Sequence, residues 1–78
     1  MKKSEFIRDF IGRAPGPIIN VDVAVELMGH TKSVGHLHNL DSLGRGCPER
    51  VKVGRRKGYV TTSFAAWAAD QVTGLEEG

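Results

Sequence analysis

Residues 50–61 read RVKVGRRKGYVT. Two short β-prone runs, VKV at 51–53 and YVT at 59–61, flank GRRKG. Side chains alternate inward and outward along each run, and the glycines supply the positive φ of a tight turn, so the stretch predicts a β-hairpin. Five of its twelve residues are Arg or Lys and none is acidic. The most concentrated charge of the chain therefore lies at the end of a ribbon.

The surrounding charge sharpens that observation. Residues 1–44 sum to zero, residues 45–58 to +5, and residues 59–78 to −3, giving the formal net +2 of the 78-residue chain. One local basic cluster in an otherwise balanced chain points to a polyanion, most often nucleic acid. The plainer alternative is a solvated hairpin whose Lys and Arg residues block edge-to-edge aggregation.

Length limits the chain to one small domain. Cys47 is the only cysteine, so no disulfide is available, and a lone thiol fits a reducing compartment. No apolar run approaches the ~18 residues of a membrane span. MKKSEF has no long apolar segment behind its lysines, so no secretory signal is expected. These features predict a cytoplasmic, nucleoid-associated protein without a membrane partner.

Upstream of the hairpin the apolar spacing is helical. Residues 4–11, SEFIRDFI, place Phe6, Ile7, Phe10 and Ile11 on one face, with Ser4 as the expected cap and Glu5 in the first turn. Gly12 and PGP at 15–17 end this helix and form a connector. Residues 20–28, NVDVAVELM, predict a second helix capped by Asn20, with Val23 or Ala24 and Leu27 and Met28 buried. Its three valines make a strand over 18–25 the competing reading. Gly29 stands at a helix C-terminus.

Residues 31–40, TKSVGHLHNL, predict a third helix capped by Thr31, with Val34, Leu37 and Leu40 or Asp41 inward. Gly35 costs such a helix about 1 kcal/mol relative to Ala, a cost that close packing on the second helix or on a partner would explain. Lys32, Ser33, His36 and Asn39 form its outward polar set, and with Thr31 they are the candidate DNA-binding residues of this helix. SLGRGCP at 42–48 reads as a loop. Downstream, 63–72 predicts a helix capped by Ser63, with Phe64, Trp67 and Ala68 on one face and Trp67 as core anchor. Residues 73–78 form an expectedly frayed tail.

Helix, helix, tight turn, helix, basic hairpin, helix is the order of a helix-turn-helix followed by a wing. The expected class is α+β and mostly helical: a single winged helix-turn-helix domain over 1–78, with a two-stranded hairpin wing. The third helix then enters a major groove and the wing lies on phosphates or in the adjacent minor groove. Asn39 suits adenine and Lys32 suits guanine, while Arg55, Arg56 and Lys57 suit phosphate or the minor groove, with Lys52 and Arg50 supporting the same DNA-binding surface.

VAVELMG, a short polar turn, a helix with VxxL, then P-x-x-V-x-V-G-R-R and SFAAW resemble the small winged-helix proteins of the MerR-like and phage excisionase type. Gly29, Pro48, Gly54, Arg55, Arg56 and Trp67 carry the match, over about residues 18–70. Two departures stand out: Gly29 to Val34 is one residue shorter than in that family, and the helix at 4–11 lies outside its usual core. The resemblance implies a phage or mobile-element protein binding double-stranded DNA as an excisionase or transcription regulator. Its implied partners are an integrase, a polymerase, or further copies of itself. A DNA-packaging, terminase-like subunit and a protein-binding adaptor are the alternatives.

Other chemistries find little. His36 and His38 are two apart and fall on different helical faces, and no CxxC or HxxxH spacing exists, so no metal site is expected. Cys47 has no general base at recognisable spacing, and neither paired carboxylates nor a phosphate-cradling GxxxxGK[ST] occur. No enzyme activity and no cofactor are expected. Single-stranded binding needs stacking aromatics, for which Tyr59 is the one candidate.

Overall fold

The computed structural model describes residues 1–77. The elements run α1 (Lys3–Arg13), β1 (Ile18–Asn20), α2 (Val21–Leu27), α3 (Val34–Ser42), β2 (Arg50–Val53), β3 (Arg56–Val60) and α4 (Thr61–Gln71). The strands form one antiparallel sheet in the order β1-β3-β2. The fold is thus a small α+β domain of four helices and three strands.

Helix α1 begins earlier than Ser4 would cap it. Lys2 is the N-cap, and its N–H donates to the Glu5 carboxylate at 3.1 Å. The helix continues through Gly12 to Arg13, whose guanidinium pairs with Asp9 one turn back at 2.6 Å. It ends at Ala14, because a residue before proline is disfavoured in the helical region.

The ambiguity over 18–25 resolves at Asn20. Residues 18–20 pair with β3, and the Asn20 side chain then accepts from the Val23 N–H at 2.8 Å, capping α2. A three-residue strand passing straight into a helix rotates the buried face, which consists of Val21, Ala24 and Val25. Val23, Leu27 and Met28 are only partly buried against it. Gly29, at φ +66, donates to Glu26, and His30 donates to Val25, the paired bonds of a Schellman stop.

Helix α3 starts later than expected. Ser33, not Thr31, is its cap, accepting from the His36 N–H at 3.1 Å. Thr31 and Lys32 lie in the preceding turn, which His30 enters at φ +59. The helix ends in a second Schellman stop at Gly44, with Gly44 bonded to Asp41 and Arg45 to Leu40.

Helix α4 follows β3 without a loop, so Ser63 falls inside its first turn and is not its cap. Thr61 anchors that start: its N–H donates to Pro17 at 2.9 Å and its hydroxyl to Gly16 at 2.6 Å. The expected tail at 73–78 is described through Glu77, Gly78 lying outside the described residues, and it contacts the start of α1. Glu76 bridges Lys2 in parallel, and the Lys3 ammonium pairs with Asp70 at 3.2 Å and Glu77 at 3.3 Å.

The core is strung on aromatic rings. Phe6, Phe10, Phe64 and Tyr59 follow one another at centroid separations of 6.3, 5.7 and 4.8 Å, and Trp67 lies 5.2 Å from Phe64. Trp67 is the expected anchor, and its indole N–H donates to the Arg45 carbonyl at 3.0 Å. Phe10 is fully buried, so α1 is an integral layer of the core through its packing on α4.

Candidate nucleic-acid interface

Register divides the basic run between places. Val53 pairs with Arg56 and Lys52 with Lys57, leaving only Gly54 and Arg55 in the turn. Gly54 has φ +64 and Arg55 a negative φ, the signature of a type II′ hairpin. Arg56, Lys57 and Gly58 therefore belong to β3 and not to a five-residue tip. Gly58 does not serve a turn at all. A Cβ there would come within 3.0 Å of the Ile19 carbonyl, so glycine is what lets β1 lie beside β3.

Cross-strand partners share a face of the ribbon. Arg50, Lys52, Lys57 and Tyr59 lie on one side; Val51, Val53 and Arg56 lie on the other, with Arg55 at the end. Lys52 faces Lys57 directly, a like-charge pairing that by itself destabilises a hairpin. Lys52, Arg55 and Arg56 are exposed and enter none of the ion pairs among the described residues.

Lys57 and Arg50 are placed differently. Both reach Asp41, which the inward stripe of α3 turns toward the ribbon. The Asp41 side chain is only 7% exposed. Its carboxylate is ion-paired with the Lys57 ammonium and accepts from the Tyr59 hydroxyl at 2.8 Å. The Arg50 guanidinium donates to the Asp41 carbonyl at 3.0 Å and lies 3.8 Å from its carboxylate. Gly46 closes the site from the loop side, where a Cβ would overlap the Asp41 carboxylate. Burial, followed by the bond to Asp41, pushes the Tyr59 phenol well above its ordinary range. The interior polar atoms of this cluster are satisfied.

The outward face of α3 is polar and free of acid. Gly35, His36, His38, Asn39 and Ser42 are exposed, and Leu37 faces the core. Gly35 does not pack on α2: the nearest atom to a Cβ there would be the Ser33 hydroxyl at 3.9 Å. Thr31 is exposed in the turn, where its hydroxyl donates to the Met28 carbonyl at 3.0 Å, and Lys32 is half-buried beside it. Between α3 and β3 runs a concavity of about 280 Å³, with His38 on one wall, Arg56 and Lys57 on the other, and Asn20–Asp22 behind. The His38 Nδ1 lies 3.4 Å from the Lys57 ammonium.

The remaining candidates move away from ligand contact. Tyr59 is fully buried and offers no stacking surface. Cys47 is buried too, and burial raises its thiol pKa, which favours the unreactive protonated form. The apolar face of α1 is spent on the core, leaving Ile11 as its exposed apolar side chain. Among the described residues no group of three or more His, Cys, Asp and Glu side chains is placed to hold a metal ion. No described helix is long and apolar enough to cross a membrane.

Asp41 is the residue that sequence reasoning undervalued. Its signal was its place on an apolar helical stripe, where a carboxylate must find partners to be buried. In comparisons with protein-family models, curated proteins and solved structures, nothing matches this chain.

Proposed function

We propose that the chain is a winged helix-turn-helix domain that binds double-stranded DNA sequence-specifically. In this reading α3 enters the major groove, with His36, Asn39 and Lys32 toward base edges. Lys52, Arg55 and Arg56 meet phosphates or the neighbouring minor groove. Ser33, the cap of α3, and Thr31, in the turn before it, lie where a backbone phosphate is favoured. The observation that carries the reading is the unpaired basic end of the β2–β3 hairpin beside an exposed helix face without acids. Three cations gathered on one short ribbon, none of them in an ion pair among the described residues, make a local positive field that suits an external polyanion. The resemblance to excisionase-type proteins adds a role class: recombination or transcription control beside an integrase or polymerase, in the cytoplasm and on the nucleoid.

Selection of bound sites from a random duplex library at two salt concentrations tests this. The expected result is a recovered motif with affinity falling steeply as salt rises. Arg55→Ala and Arg56→Ala should each lower affinity for all sequences and reduce the salt slope by about 0.9. Asn39→Ala should chiefly lose discrimination at one position. Binding with no motif and no salt dependence would sink the proposal. A protein-binding adaptor would then become the better reading. The surface that favours it is a cleft of about 440 Å³ on the far side of the ribbon, where Ile18 and Val53 are exposed beside Pro17 and Arg56.

A further inference from the structure

The hairpin's five cations do not share one role, and the divider is Asp41. A carboxylate that is 7% exposed is costly to leave unpaired. Tyr59 supplies one hydrogen bond, and the compensating charge comes chiefly from Lys57. Releasing Lys57 to a phosphate would strand that buried charge. Lys57 is itself only 28% exposed, wedged between Asp41 on α3 and the opposing Lys52 on β2. Arg50 is held by the Asp41 carbonyl as well as by its carboxylate, so it is tied to the backbone of α3.

From this geometry we infer that Asp41 is a specificity-determining positioning residue. It withholds Lys57, and with it Arg50, from the DNA backbone and uses them as struts that fix the hairpin to α3. The inference rests on the DNA-binding reading and deepens it. Two consequences follow from withholding a cation. Sequence-independent attraction is restrained by one phosphate contact. The basic end of the ribbon and the reading face of α3 keep one separation, so phosphate contacts form only where base contacts also fit. An unrestrained Lys57 would add affinity for any duplex and subtract from discrimination, because backbone contacts carry no sequence information.

The test is a salt titration of the full chain on two probes, a random-sequence duplex and the duplex recovered by site selection. Asp41→Asn should steepen the salt dependence on the random duplex by about 0.9 in the log–log slope. Between 50 and 200 mM salt that is an additional loss of about threefold. Its preference for the selected site over random duplex should fall. Lys57→Met should leave the wild-type slope unchanged, and added to Asp41→Asn it should restore that slope. Glu26→Gln makes the same charge change on α2, away from Lys57, and should not steepen the slope. A residue important only for folding would not produce this pattern.

An unchanged slope for Asp41→Asn overturns the inference, as does a slope reduced by about 0.9 for Lys57→Met alone, which would make Lys57 a phosphate contact. Should either single variant fail to fold, the double variant Asp41→Asn with Lys57→Met, which strands no buried charge, decides: a wild-type slope supports the inference, and a slope lower by about 0.9 overturns it. Failure of the wild-type chain to bind either duplex would overturn the DNA reading itself, and this inference with it. Binding by wild type with slopes contrary to those expected would overturn the inference alone.

Discussion

The Asp41 carboxylate accepts from Tyr59, is ion-paired with Lys57, and lies against the bare Cα of Gly46. On the side of Gly46 it has no spare room, and a single methyl there is enough to disturb it. Gly46→Ala should destabilise the protein by about 1–3 kcal/mol, the usual cost of overpacking, because the methyl displaces the carboxylate from its partners. A urea denaturation midpoint measures this, and a midpoint equal to wild type would show that the loop yields freely. The periodicity of α3 leaves Leu40 and Asp41 as alternatives for the inward stripe and does not name the partners of Asp41. Lys57 and Tyr59 lie 16 and 18 residues further on, and only the hairpin register brings them back across α3. A charge count alone therefore places all five hairpin cations on one DNA-facing surface.

Helix α3 shows how capping decides what an element presents. Thr31 and Ser33 both have hydroxyls suited to a cap, and apolar periodicity does not choose between them. The choice falls to Ser33 because the Schellman stop of α2 extends through His30 and leaves Thr31 bonded to Met28. Lys32 is thereby a turn residue, whereas His36 and Asn39 keep the outward positions that spacing gave them. Gly35 lies in the first turn with open space around it, so neither packing nor positive φ requires glycine there. Gly35→Ala should stabilise the fold by about 0.5–1 kcal/mol through helix propensity. Thermal denaturation would detect it as a raised midpoint, and a lowered midpoint would reveal a packing partner for that face. Strand β1 was the least legible element. Three residues are too few for alternation to show, and the close approach that Gly58 permits concerns backbone atoms with no sequence pattern.

At the scale of the whole molecule, the perturbed titrations among the described residues share one sign. Tyr59, with an ordinary pKa of 10.0, and Cys47, at 9.0, are both raised, chiefly by burial. Lys3, at 10.5, is raised by its bonds to Asp70 and Glu77. In each case the folded state holds its proton more tightly than the unfolded chain. That stability is fully present below the ordinary values and is lost as pH rises from them through the raised folded-state values. The urea midpoint should therefore fall from about pH 9 upward, and Tyr59→Phe should make the fall shallower while costing about 1 kcal/mol at neutral pH for the lost hydrogen bond. A midpoint flat to pH 11 would refute this.

The clasp between Lys2 and Glu76 has a topological consequence. Backbone near both ends of the described chain runs side by side, with Lys3 donating to the Glu76 carbonyl at 2.9 Å and Glu76 to Met1 at 3.0 Å. The first and last described residues of the domain thus meet along one seam. A short peptide joining the seam would allow a new break elsewhere, as in a circular permutant, or let the whole domain be spliced into a surface loop of a host protein with little spacer.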